Sequence, residues 1–81
     1  NVGVGVTPEV THADQTSLQI GGNANISTTK AQAASGELDI LHNAYYAVNG
    51  NHYYISTDEA SMIRQGGGQF VFRNAPTLAT V

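Results

Sequence analysis

The chain has 81 residues, a formal net charge of −3 and no cysteine. This length fits one domain or part of one, and the absence of cysteine excludes disulfides and cysteine-based metal sites. Ten of the apolar residues are alanines, so one copy has few large side chains to bury, and chains of this size commonly gain stability from partner subunits. The three basic residues form no cluster, which argues against nucleic acid as a partner, and no apolar run reaches the length of a membrane span.

Turn residues divide the chain into three stretches, which together make one structural unit. Residues 1–36 are predicted to be an extended segment with short strands and a loop, residues 37–76 a module rich in β-hairpins, and residues 77–81 a tail. The opening lacks a methionine and the basic start of a signal peptide, so we expect a fragment of a longer protein.

The first stretch carries weak strand signals. Valine alternates with glycine over residues 2–6, which favours a strand or an extended arm. Leu18 and Ile20 predict a short strand that ends at the turn 21–23. Residues 27–36 have alanine-rich helix propensity but no large apolar stripe, so we expect a mobile loop or one helical turn there.

A strand with acidic side chains is predicted at the start of the second stretch. Leu38 and Ile40 alternate with Glu37 and Asp39, the pattern of a strand whose acidic side is a solvated edge. Residues i and i+2 of a strand lie about 6.6–6.8 Å apart. This separation suits the carboxylate pair of a glycoside hydrolase, so Glu37 and Asp39 are also the candidate catalytic pair. We favour the solvated edge.

The strongest local signal is a hairpin around Asn49-Gly50. These two residues lie between β-forming stretches at 44–48 and 51–55, and both tolerate the positive φ of a type I′ turn. A two-residue turn fixes the register. The register then pairs the four tyrosines across the ribbon, Tyr46 with Tyr53 and Tyr45 with Tyr54.

A second hairpin is predicted around the three glycines 66–68. Residues 60–65 and 69–73 flank this loop, and Phe70 and Phe72 share one face. With these elements the chain reads as five to seven short strands separated by glycine-, asparagine- and serine-rich turns. The predicted fold class is therefore all-β.

Histidines are the first candidates for metal binding. His12, His42 and His52 lack the local spacing of metal ligands, so we interpret them as surface or strand-edge side chains. Three copies of one histidine around a threefold axis remain the alternative. We expect no catalytic residue, no cofactor and no metal ligand within one chain.

The tyrosine ribbon is the candidate carbohydrate contact. One face of the ribbon has to pack inward, so one tyrosine pair at most is free to stack on a sugar, and sheet packing is the interpretation that we favour. The candidate glycan contacts are Tyr45, Tyr54, Asn49, Asn51 and His52.

Three segments resemble bacteriophage tail fibres and related trimeric fibre proteins. Residues 1–8 are similar to the VGIGTTSP opening that recurs in these fibres, and residues 43–57 are similar to the element N-A-Y-Y, turn, N-x-Y-I. Residues 68–76 resemble the segment G-x-F-x-F-x-N-A-P that commonly follows. His52 departs from the pattern, in which an aromatic residue, often tryptophan, is usual.

The resemblance implies a β-rich segment of a homotrimeric tail fibre or tailspike, upstream of an intramolecular chaperone domain. We therefore expect a homotrimeric, fibre-like β assembly in the virion, with mechanical and host-attachment roles and without catalysis. Its partners are then identical copies, other tail proteins and a host surface glycan, with neither nucleic acid nor membrane insertion. The apolar residues expected near the trimer axis are Leu18, Ile20, Leu38, Ile40, Phe70 and Phe72.

Two other functions stay open. One is a monomeric carbohydrate-binding β-sandwich that uses the Tyr45 and Tyr54 face as its platform. The other is part of a polysaccharide-degrading tailspike that uses Glu37 and Asp39. The position in the virion, whether tail, baseplate or head fibre, also stays open.

Overall fold

The computed structural model describes residues 2–30 and 36–76, and within them it contains eight strands and no helix. The predicted all-β class is confirmed, with one strand more than the five to seven expected. No helix that could cross a membrane occurs among these residues. The strands are β1 (Val2–Val4), β2 (Gln15–Ile20), β3 (Ala24–Thr29), β4 (Glu37–His42), β5 (Ala44–Tyr46), β6 (His52–Tyr54), β7 (Ala60–Gly66) and β8 (Gln69–Ala75).

Six of the strands form one sheet in the order β1-β2-β3-β4-β7-β8. β1 runs parallel to β2, and every other neighbouring pair is antiparallel. β5 and β6 form a separate two-stranded ribbon. Strands from both sides of residue 36 therefore belong to one sheet, while the predicted tail 77–81 lies outside the described residues.

The second predicted hairpin is confirmed, with a shorter turn and longer strands. Gly66 pairs with Gln69, so only Gly67 and Gly68 form the turn, and both have positive φ, 60° and 76°. Positive φ at both central residues is the type I′ geometry that matches the twist of the flanking strands. The strands extend to Gly66 and Ala75, beyond the predicted limits.

The register predicted for the tyrosine ribbon is wrong by one residue. Tyr45 pairs with Tyr53 and Tyr46 pairs with His52. The amide of Gly50 donates to the carbonyl of Ala47 at 3.0 Å, and the φ of Gly50 is 86°. The connection is therefore a three-residue loop, a type I turn followed by a glycine in the left-handed region, instead of a two-residue type I′ turn.

The loop or helical turn predicted for residues 27–36 is also wrong for residues 27–29. Residues 27–29 continue β3, which pairs with β2 on one side and with β4 on the other. Ser27, Thr28 and Thr29 are small or β-branched, and such residues fit a pleated strand with two neighbours better than a helix without an apolar stripe. The remaining residues predicted there include 31–35, which lie outside the described residues.

The two faces of the six-stranded sheet differ in chemistry and in cover. One face, here called the polar face, carries Ser17, Gln19, Asn25, Ser27 and Asp39, and all five are buried. The ribbon and the N-terminal segment cover it, because the amide of His12 donates to the carbonyl of Tyr46 and Thr11 forms a bridge with Ala47. The other face, here called the apolar face, has no cover from the described part of the chain.

The apolar interior is small, as the sequence predicts for one copy. Among the described residues the buried apolar side chains are Leu41, Ala44, Ala47 and Ala60. Tyr54 and Met62 pack against this cluster. Three of the four are alanines, so the interior buries little apolar area, which is the main source of folding free energy.

Candidate functional site

A continuous apolar row crosses all six strands on the open face. Direct register partners, one on each strand, place these residues side by side. We call them the spine; its members are Val2, Leu18, Ile26, Ile40, Ile63 and Phe72.

Two further rows flank the spine and are of mixed character. One contains Val4, Ile20, Ala24, His42, Ser61 and Asn74, and the other contains Thr16, Thr28, Leu38, Gln65 and Phe70. No Asp, Glu, Lys or Arg occurs among the strand residues of this face, all of which lie in the described ranges. The charged strand residues Glu37, Asp39, Arg64 and Arg73 all belong to the opposite face.

Several large apolar side chains of the apolar face are exposed to solvent. Phe70 and Phe72 are 68% and 73% exposed, and Ile40 is 43% exposed. Isolated exposed apolar residues are ordinary, but contiguous apolar patches commonly mark interaction sites. The chain therefore buries polar side chains on one face of its sheet and leaves the apolar ones on the other face open.

The structure brings all six residues predicted near a trimer axis to this one face. Leu18, Ile40 and Phe72 lie on the spine, and Ile20, Leu38 and Phe70 lie on the flanking rows. Sequence reasoning did not include Val2, Ile26 and Ile63, which complete the spine. Ile26 directly precedes the misassigned 27–36 stretch, and Ile63 follows Met62, so two adjacent apolar residues hide which of them lies on the apolar face.

An ion pair organises the opposite face. Asp39 and Arg64 are register partners on β4 and β7, and Arg64 donates from Nε to Oδ1 of Asp39 at 2.9 Å and from Nη2 to Oδ2 at 3.2 Å. Glu37 lies 3.5 Å from Nη1 of the same guanidinium. Asp39 is 4% exposed, so the predicted solvated edge is wrong: β4 lies inside the sheet, and the ribbon covers its acidic side.

The environment of Asp39 favours its charged form. Burial by itself would raise the pKa of Asp39, but the nearby His52 together with the hydrogen bonds and positive charge of Arg64 outweighs burial and lowers the pKa below its ordinary value. The same hydrogen bond to Asp39 raises the pKa of Arg64. The carboxylate and the guanidinium therefore form a charge-assisted, two-point contact under the ribbon.

Aromatic rings complete this region. Tyr46 lies between His12 and His52, with ring centroids 4.9 Å from each, and Nε2 of His52 lies 4.0 Å from Oδ2 of Asp39. The rings and charges border a polar pocket of about 280 Å³ between ribbon and sheet. The ring of Tyr46 therefore already contacts two histidine rings.

Asn43 joins the sheet to the ribbon. It is fully buried and has a φ of 59°, a left-handed conformation that asparagine tolerates better than most residues. Its Oδ1 accepts hydrogen bonds from the amide and hydroxyl of Ser56 and from the side chain of Asn23. Its Nδ2 donates to the carbonyls of Ser56, Asp58 and Glu59. This side chain therefore fixes where the ribbon leaves the sheet.

The three histidines are not brought together. His12 and His52 lie on the ribbon side of the sheet, whereas His42 lies on the apolar face in a flanking row. No group of three His, Cys, Asp or Glu within 2–30 and 36–76 is arranged to hold a metal ion.

The predicted glycan contacts are divided between the two faces of the ribbon. Tyr45 and Tyr53 share the outer face with ring centroids 6.1 Å apart, and Nδ2 of Asn49 donates to the hydroxyl of Tyr53 at 2.5 Å. Tyr54 and His52 lie on the inner face, packed towards the sheet. The predicted Tyr45 and Tyr54 platform is therefore wrong. Asn51 is exposed at the loop.

No protein family, no curated protein and no solved structure matches this chain.

Proposed function

We propose that this chain is a structural and host-attachment segment of a homotrimeric virion tail fibre, without catalysis of its own. The observation that carries the proposal is the open, charge-free apolar face with its spine. A second copy presents the same face, so identical chains supply complementary cover without any unpaired charge. The resemblance to tail fibres supports the virion context, and the partners are then other copies of the chain and neighbouring tail proteins.

A trimer also accounts for the polar character of the other face. The buried apolar cluster between the ribbon and the polar face is small, so we expect much of the free energy of folding to come from the apolar face. Stability and assembly are then one equilibrium and depend on protein concentration.

The test is a charge placed on the spine. Ile40→Lys introduces an ammonium group in the centre of the apolar face, and we expect it to abolish the oligomer, measured as the mass in light scattering at micromolar concentration. Val48→Lys is the matched control, because Val48 is exposed on the ribbon and should leave the mass unchanged. Equal masses for wild type and Ile40→Lys would contradict the proposal.

A second candidate function is contact with a host surface glycan through the outer face of the ribbon. The pair of Tyr45 and Tyr53 favours it, since Tyr53 is 40% exposed beside the half-buried Tyr45. In a trimer closed on its apolar faces, this ribbon points outwards. Binding to a panel of immobilised glycans should fall with Tyr53→Ala and persist with Val10→Ala, a substitution at an exposed residue outside the strands. No binding to any glycan by the wild type would contradict this function.

A further inference from the structure

We propose that a second pocket beside the ribbon binds a small apolar carboxylate, whose charged group pairs with Arg73. The pocket has a volume of about 250 Å³ and lies between the ribbon, the start of β7 and the end of β8. It is distinct from the polar pocket around Asp39 and Arg64, because the two pockets share only His52 among their lining residues.

Alanines leave the space that forms this pocket. Ala44 of the ribbon, Ala60 of β7 and Ala75 of β8 line it, and Ala60 and Ala75 are register partners. Leu41 belongs with Ala44 and Ala60 to the buried apolar cluster, and Met62 packs against that cluster. Protein interiors are normally close-packed. Three methyl side chains where the ribbon meets the sheet therefore leave an apolar hollow of the kind that small ligands fill.

Tyr54 forms an aromatic wall of the pocket. It is the register partner of Ala44 and packs against the apolar cluster, and its hydroxyl donates to the carbonyl of Pro76 directly after β8. The ring is thus held at both ends, by the ribbon and by the chain that follows β8. A ring held in this way offers an apolar surface of fixed orientation to a bound molecule.

Arg73 supplies the charge. It pairs in register with Met62, which pairs with Leu41, so the three side chains lie on one face and the guanidinium borders the apolar lining. Within residues 2–30 and 36–76, no acidic side chain forms an ion pair with Arg73, whereas Arg64 is engaged by Asp39. The described residues that line the pocket include no Asp or Glu. The pocket therefore presents a cation without an acidic partner beside an apolar surface.

These features together select an anion with an apolar body. A guanidinium binds a carboxylate through two parallel hydrogen bonds, and the apolar lining accepts a ring or a hydrocarbon chain. A phosphate monoester would bring a second negative charge, and His52, the other basic side chain in the described lining, already lies 4.0 Å from the Asp39 carboxylate. The volume is below the ~300–1,000 Å³ of pockets for drug-sized ligands, so we expect a monocarboxylate with about one ring.

The experiment titrates phenylacetate into the 81-residue chain and follows the pocket by NMR. The sequence contains one methionine, Met62, so an isotope-labelled methionine methyl group gives a signal from the pocket itself. Phenylacetamide has the same ring without the charge, and acetate has the charge without the ring. We expect phenylacetate to shift the Met62 signal saturably, and both matched compounds to bind at least about tenfold more weakly.

Three variants locate the site. Arg73→Met should weaken phenylacetate binding by about tenfold or more, because the charged hydrogen bonds are lost, and should bind phenylacetate and phenylacetamide equally. Ala75→Leu fills the hollow and should abolish binding of both compounds. Lys30→Met is the matched control, because it removes a positive charge from an exposed residue outside the pocket and should leave both affinities unchanged. A thermal unfolding transition measured for each variant confirms that it is folded before the titration.

Three outcomes would overturn the carboxylate site. They are a Met62 signal that phenylacetate does not shift saturably, equal affinities of the wild type for phenylacetate and phenylacetamide, and an Arg73→Met variant that still prefers the carboxylate. None of them bears on the proposed trimer, because alternation along β4, β7 and β8 places Leu41, Met62 and Arg73 on the face opposite to the spine.

Discussion

Asp39 and Arg64 lie opposite each other on neighbouring strands and form a two-point ion pair beneath the ribbon. The guanidinium of Arg64 compensates the charge of the buried Asp39 carboxylate, which allows this face of the sheet to be covered by the ribbon. Charge placed between sheet and ribbon is neutralised within the chain. The opposite, apolar face carries no Asp, Glu, Lys or Arg in its strands.

Replacement of Arg64 by an uncharged residue should destabilise the fold. Arg64→Met leaves the buried Asp39 carboxylate without its main partner, and we expect a loss of about 3 kcal/mol, the lower end for broken buried pairs, because the Arg64 side chain is 21% exposed. Arg64→Lys should cost less, since it keeps the charge. Arg73→Met, at an exposed arginine of β8, should change stability by less than about 0.5 kcal/mol. Denaturant unfolding at one fixed protein concentration measures the loss of unfolding free energy in each variant. Equal losses for Arg64→Met and Arg73→Met would argue against a structural ion pair.

Acid should weaken the fold through Asp39. Because the pKa of Asp39 is lower in the folded chain than in the unfolded chain, the unfolded state binds more protons in the window between the two values. The stabilisation is complete above the ordinary Asp pKa of about 3.9 and is lost as pH falls through the folded-state value. Thermal unfolding between pH 7 and pH 2 should show this loss, and Asp39→Asn should flatten it. An unchanged pH profile in Asp39→Asn would show that other groups carry the acid sensitivity.

Two substitutions of Asn43 should separate the contribution of its side-chain hydrogen bonds from that of its left-handed backbone conformation. Asn43→Ala loses the hydrogen bonds to Asn23 and to residues 56–59 and is strained at positive φ, so we expect a loss of about 3–5 kcal/mol. Asn43→Gly accepts the backbone conformation but loses the same hydrogen bonds, and its loss should be smaller by about 1–2 kcal/mol. The measurement is the unfolding free energy of both variants. A larger loss for glycine than for alanine would mean that backbone conformation is not part of the effect.

Asn25 offers a stabilising substitution. It is 1% exposed, and neither Nδ2 nor Oδ1 has a hydrogen-bond partner among the described residues. Since an unsatisfied buried polar group costs about 1–3 kcal/mol, Asn25→Leu, of similar shape, should raise the midpoint of thermal unfolding. Asn25→Asp should lower it, because it buries a charge without a partner. A lower midpoint for the leucine variant would indicate that the amide has a partner in solution.

Period-2 patterns were sufficient to predict the hairpin of β7 and β8, the strand at β4 and the shared face of Phe70 and Phe72. These predictions depend only on alternation and on glycines with positive φ, and both are local properties of the sequence. The tyrosine register could not be fixed in the same way. Asn49-Gly50 suits a two-residue turn and also a three-residue loop that ends at Gly50, and the two loops differ by one residue in pairing.

The burial of Asp39 could not be predicted from its own strand. Alternation places Glu37 and Asp39 on one face, but whether that face meets water depends on where the ribbon packs. That position is set by Asn43, whose left-handed backbone and buried side chain return the chain across the polar face. Neither feature is visible in a hydrophobic pattern, since asparagine also occurs in ordinary turns.

The most direct test of the whole account is the mass of the 81-residue chain in solution, measured by sedimentation equilibrium at micromolar concentration. We predict three times the 8.5 kDa of one chain, together with an unfolding midpoint that rises with protein concentration. A stable 8.5 kDa species with a cooperative transition independent of concentration would contradict the claim that identical copies cover the apolar face.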